Sequence, residues 1–203
     1  MPLPDFDSLP LGSTTDITLK NEKLSTEELQ ALATAIKQNK VRTLRLHQCC
    51  LRDADVAVLT PEIAETSSLK VLDFSNCHDK SAILLALPDG NHINTMNQLY
   101  VPSANAISTA LSSNSSITEL NISDNYGIDD SCMDNLTHAI CNNSRMKLAL
   151  VDVRWTNLSP QPLHDLLRAL KFRNPGVKFE CTNLIAESTC TETVRDALGC
   201  RPF

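Results

Sequence analysis

Glycine and aromatic side chains are scarce in this sequence: 5 glycines, and 4% Phe, Trp and Tyr, in 203 residues. Few aromatics means an aliphatic core. Few glycines means that most turns must be made by other residues, asparagine and aspartate first among them. No apolar run approaches the roughly 20 residues needed to cross a bilayer as a helix, so no membrane partner is expected. Lys and Arg are not clustered, and acidic residues outnumber them 24 to 18 for a net charge of -6. That argues against a surface wrapped on nucleic-acid phosphates. The first residues show no basic-then-apolar leader pattern, and residues 1–13 read as a proline-rich N-terminal arm. The expected compartment is therefore cytoplasmic, and the eight cysteines are expected to be reduced thiols, mostly buried.

What the sequence does contain is a repeat. Five segments align as apolar-x-x-apolar-x-apolar: Val41, Leu44, Leu46; Leu69, Leu72, Phe74; Met96, Leu99, Val101; Ile117, Leu120, Ile122; and Leu148, Val151, Val153. Weaker copies stand at Ile17 and Leu19, and at Val177 and Phe179. Alternating apolar positions predict a short strand with one buried face. Three residues past each last apolar slot stands Cys49, Cys77, Ala104, Asn125 or Thr156.

A helical stripe follows most strands. Leu29, Leu32 and Ile36 are spaced by three and four, as are Val56, Leu59 and Ile63; Met133, Leu136 and Ile140; and Leu163, Leu166 and Leu170. That spacing lays them on one helix face. Ser25 with Glu28 forms a capping-box sequence. Pro160 after Ser159 fits a helix start. Asn39, Asn114 and Asn143 are placed to close helices as left-handed residues, and Pro61 is expected to kink or shorten its helix. Neither strand nor helix can bury its apolar face alone, so the units must stack.

The period near 28 residues, with a full helix in each unit, resembles the ribonuclease-inhibitor-like subfamily of leucine-rich repeats. The resemblance implies an α/β fold: a right-handed solenoid, or horseshoe, of about seven repeats over residues 14–184. Parallel strands would line the concave face and helices the convex face. Residues 185–203 would form a C-terminal cap and tail, with a helix from Glu187 to Leu198. Irregularity is expected in the middle, where the third unit shrinks to a stub at Ile107, Ala110 and Leu111 and the second breaks near Pro88.

In such a repeat the residues between buried strand positions face the concave surface. The central column is expected to read Thr18, Arg45, Asp73, Tyr100, Asn121, Asp152, Lys178. The next column reads Lys20, His47, Ser75, Pro102, Ser123, Arg154, Glu180. Tryptophan, tyrosine and arginine dominate protein interfaces, so the candidate partner-binding surface is Arg45, His47, Asp73, Tyr100, Asn121, Asp152, Arg154 and Trp155. The expected function is a non-catalytic scaffold that binds a protein partner through this face, as one subunit of a larger assembly. The alternatives are a regulator of an enzyme, of inhibitor or GTPase-activating type, and a cytoskeletal or axonemal component. No nucleophilic triad or phosphate loop emerges, so no enzyme, cofactor or small-molecule substrate is expected. His47, Cys49, Cys50, Cys77 and His78 fall near one another, but without the paired spacing of a zinc site. No metal is expected there.

Overall fold

The computed structural model describes residues 3–76 and 99–181. Strands and helices alternate: β1 (Thr15–Lys20), α1 (Thr26–Lys37), β2 (Val41–His47), α2 (Asp53–Glu65), β3 (Val71–Asp73), α3 (Val101–Ser113), β4 (Glu119–Asn121), α4 (Met133–Asn142), β5 (Leu150–Asp152), α5 (Pro160–Arg173) and β6 (Lys178–Glu180). The six strands form one parallel sheet in chain order. Helices pack in the same order, each against the next. This is a leucine-rich-repeat-like solenoid, with a layer of strands on one side and a layer of helices on the other.

The two sequence periods meet in one core. Ile17, Leu44, Leu72, Leu120, Val151 and Phe179 stand side by side across the sheet. All four helical stripes read from the sequence are buried, from Leu32 and Ile36 in α1 to Leu166 and Leu170 in α5. The N-terminal segment joins this core: Phe6, in a 3-10 turn over Phe6–Ser8, is buried, and Lys40 Nζ donates to its carbonyl at 2.8 Å.

The third repeat departs from expectation. Leu99, Tyr100 and Val101 form no strand of the sheet. β3 pairs directly with β4, so that Asp73 and Asn121, 48 residues apart, are neighbours, where His47 and Ser75 meet at a separation of 28. Val101 opens α3 instead, with Pro102 in its first turn. Asp53 Oδ1, at the start of α2, fixes this entry by accepting from the N–H groups of Tyr100 (3.1 Å) and Ser103 (3.2 Å), and from the Ser103 hydroxyl. The sheet among the described residues thus has six strands, not seven. The stub read at Ile107, Ala110 and Leu111 is the buried stripe of a 13-residue helix. A second correction concerns β6: Glu180, not Lys178, lies beside Asp152. Pro61 sits inside α2, which nevertheless continues to Glu65.

Asparagines tie the units together at both ends of the strands. After β4, Asn125 Nδ2 donates to the carbonyls of Phe74, Ile122 and Ser123. Cys49 Sγ fills the same place after β2, near the carbonyls of Leu19 and His47. At the helix ends only Asn39 is left-handed, with φ 58°. Asn114 and Asn143 are extended and act through their side chains: Asn114 Nδ2 reaches Ile63 O and Thr66 O, and Asn143 Nδ2 reaches Leu111 O and Asn114 O. A buried carbonyl without a partner is costly, and the amides of Asn114 and Asn143 remove that cost where α3 and α4 end. The cap helix at 187–198, the Pro88 break, Cys77, His78, Cys190 and Cys200 lie outside the described residues.

Candidate functional site

The sheet register builds the concave face. Thr18, Arg45, Asp73, Asn121, Asp152 and Glu180 form its central column. Three of these close their own strands. Asp73, Asn121 and Asp152 each accept, at 3.0 Å, the N–H of the residue two further on: Ser75, Ser123 and Arg154. This side-chain turn satisfies a donor freed where the ladder ends. Asp73 and Asp152 are accordingly buried, with 6% and 4% of their surface exposed. Their first role is to hold the rim in shape.

Charges on this face are paired. Arg154 Nε donates to both oxygens of Asp152, at 3.0 and 3.1 Å, and its Nη2 lies 3.1 Å from Glu180 Oε2. The bond to Asp152, opposed in part by burial, raises the Arg154 pKa above its usual value. Arg45 is held more loosely, with Nε 4.0 Å from Asp73 Oδ2 and Nη2 3.9 Å from Glu119 Oε2. Asn121 Nδ2 donates to Asp73 Oδ2 at 3.2 Å.

His47 Nδ1 meets Ser75 Oγ at 3.0 Å, and its Nε2 lies 3.7 Å from Asp73 Oδ2. The residue types are those of a nucleophilic triad, but each nitrogen faces the group that the other faces in that mechanism. Ser75 is also only 5% exposed, which leaves no room for an acyl substrate. Among the described residues no three His, Cys, Asp or Glu side chains are grouped to hold a metal. Burial raises the Cys50 thiol pKa and pushes that of Cys132 up to about 11, so both are poor nucleophiles at neutral pH.

Of the residues expected at the site, Arg45, His47, Asp73, Asn121, Asp152, Arg154 and Trp155 lie on the sheet's concave side or at its edge. Tyr100 does not. It precedes α3 and pairs with Gly127, where a Cβ would come within 2.3 Å of the tyrosine ring. Trp155 is half-buried and sits at φ 57°, in the turn position occupied by Asn21, Gln48 and Asp124 in other units. Asparagine and aspartate tolerate that conformation, whereas a bulky side chain pays for it.

Sequence reasoning missed the rim formed by the turns between strand and helix. Tyr126, 57% exposed, stands there beside Tyr100, 51% exposed. Its signal in the sequence is one extra residue: Met133 stands 11 positions after Ile122, where Val56 follows Leu46 and Leu163 follows Val153 by 10.

No family model matches this chain, and no curated protein matches it. Solved structures do. A structure described as leiomodin-1 actin-binding site 2 is 17% identical, with a TM-score of 0.56, covering 87% of this chain and 89% of that one. The tropomodulin C-terminal domain of Caenorhabditis elegans is 8% identical, with a TM-score of 0.61, covering 84% of this chain and 89% of that one. At such identities the likeness is one of fold.

Proposed function

We propose that this chain is a non-catalytic protein-binding module of the cytoskeleton, and that its partner is an actin surface engaged by the concave face. The observation that supports this reading is the likeness of fold, over 87% of the chain, to a domain described as an actin-binding site. The match runs over nearly the whole of both chains, so the likeness concerns the entire solenoid and not one shared strand–helix unit. The concave face has the chemistry of an interface. Arg45 keeps 37% of its side-chain surface exposed and has only long contacts, so it can exchange them for a partner's carboxylates. Arg154, Trp155, His47 and Asn121 flank it as contact residues, while Asp73 and Asp152 orient them. The setting is cytoplasmic, and the repeat is of the ribonuclease-inhibitor-like type.

Co-sedimentation tests this directly. The purified chain should pellet with filamentous actin in a saturable way, or bind monomeric actin in a gel-shift. Arg45→Ala should weaken the interaction by about tenfold, as loss of an interface arginine does, with circular dichroism unchanged. A chain that binds neither form of actin at micromolar concentration sinks the proposal.

A further inference from the structure

β1 is the first strand of the sheet and has a neighbour on one side only. The ladder shows which of its groups are left over. In later strands the central-column residue bonds to the strand before it: Asn121 O accepts from Phe74 N, Asp152 O from Ile122 N, and Glu180 O from Val153 N. Thr18 holds that column position in β1, beside Arg45, and among the described residues no strand precedes it. Its N–H and carbonyl, and those of Asp16 and Lys20 two residues to either side, therefore point out of the sheet edge. The N-terminal arm does not pair with them. Leu3, Phe6 and Leu9 pack against the core, and the arm's main chain bonds within itself, as from Leu9 N to Phe6 O and from Ser13 N to Pro10 O. Asp16, Thr18 and Lys20 are all exposed, while Ile17 and Leu19 between them are buried.

An open strand edge is a template for another chain, and charged side chains normally deter that pairing. In β1 the charges complement each other. Residues 16–20 read Asp-Ile-Thr-Leu-Lys: acid, apolar, Thr, apolar, base. Turned antiparallel on itself about Thr18, the strand sets Asp16 opposite the second copy's Lys20, Ile17 opposite Leu19, and Thr18 opposite Thr18. In an antiparallel ladder every second residue exchanges both main-chain bonds with the residue opposite, and the outward groups of Asp16, Thr18 and Lys20 have that spacing. Other registers lack the match. Centred on Asp16 or on Lys20, the pairing opposes like charges; centred on Leu19, it sets Asp16 against Glu22; centred on Ile17, it leaves Lys20 opposite Thr14. Opposite charges facing each other across strands stabilise, and like charges destabilise. Asp16 already accepts from Arg42 Nε at 3.0 Å, and a carboxylate has further lone pairs for a second cation.

We propose that β1 pairs antiparallel with β1 of a second copy of this chain, across a two-fold axis at Thr18, joining two solenoids in one continuous sheet. The same edge is used by both copies, so the interface closes at a dimer. Both concave faces then open to the same side. The pairing does not rest on actin as the partner. A single pair of strands is a small contact beside a standard interface, so the dissociation constant is expected on the order of 10 μM.

Sedimentation velocity of the full chain without actin, from about 1 to about 200 μM, spans that constant. The chain should pass from monomer to dimer across this range. Thr18→Pro removes the central outward N–H at an edge position where proline is tolerated; it should abolish the dimer with circular dichroism unchanged. Lys20→Asp sets acid against acid at both ends of the pairing and should weaken it at least about tenfold. Asp16→Lys sets base against base and should do the same. Mixed in equal amounts, the two charge variants regain opposite charges at both ends and should form a heterodimer within about threefold of the original affinity. A chain still monomeric at about 200 μM, a dimer untouched by Lys20→Asp, or a mixture no more associated than its two components would overturn the proposal.

Discussion

Asn114→Ala should be among the most damaging single substitutions in the solenoid. The side chain is 3% exposed. Its Nδ2 donates to Ile63 O at 2.7 Å and Thr66 O at 3.0 Å, and its Oδ1 accepts from Ser116 N at 2.8 Å and Ile117 N at 2.9 Å. Alanine leaves these four backbone groups to find other partners inside the protein. Each buried group left unmet costs about 1–3 kcal/mol, and entering water or the Ser116 hydroxyl recovers part of that. The expected loss is about 3–5 kcal/mol. At about 2–4 °C per kcal/mol for a chain of this size, the melting temperature should fall by roughly 6–20 °C. Urea unfolding followed by far-ultraviolet circular dichroism measures the loss. Asn174→Ala is the control, since Asn174 donates once, to Leu148 O, and accepts from the exposed Gly176 N; it should cost about 1 kcal/mol. If Asn114→Ala costs no more than Asn174→Ala, the asparagine ladder does not stabilise the stack as argued.

Gly127→Ala should destabilise by about 1–3 kcal/mol, as overpacking does, because the new Cβ would lie 2.6 Å from the Leu99 carbonyl oxygen as well as against the Tyr100 ring; a thermal melt reads it, and an unchanged melting temperature would refute the close packing. Trp155→Asn should leave stability unchanged or raise it by up to about 1 kcal/mol, since asparagine suits φ 57° better, while partner binding falls; a large loss of stability would make Trp155 a packing residue instead. A hydrogen bond from Arg42 is the main cause that lowers the Asp16 pKa to about 2. A carboxylate with a depressed folded pKa contributes stability above its unfolded value near 3.8, and loses it as pH falls toward 2. Asp16→Asn should flatten the fall in melting temperature between about pH 4 and pH 2 and lower the melting temperature at pH 7 by the same amount, a small one because the exposed pair is screened by solvent.

The repeat itself was legible because two periodicities had to coexist. Apolar positions such as Leu44 and Leu46 fix a strand, and stripes such as Leu163, Leu166 and Leu170 fix a helix. Each is buried where its spacing places it. Leu99 and Val101 misled because a strand leaving the sheet and a helix entering the core both present apolar residues two apart. Pro102 marked the difference, since proline suits the first turn of a helix and cannot donate within a central strand. The concave column was legible in its residues but not in their tasks. Asp73 and Asp152 read as contact residues, yet the N–H groups of Ser75 and Arg154 claim them first. Only the three-dimensional path of the turn shows that. In the same way Lys178 read as a column residue because Val177 and Phe179 alternate, whereas the sheet takes Phe179 into the slot of Val151 and brings Glu180 to the surface.

Hydrogen exchange of the chain, alone and saturated with actin, locates the surface that actin covers. Exchange should slow along the concave strands and the turns after them, centred on Arg45, Asn121 and Arg154, with the helices α1 to α5 unchanged. Protection confined to the helical face, or none anywhere, would contradict it.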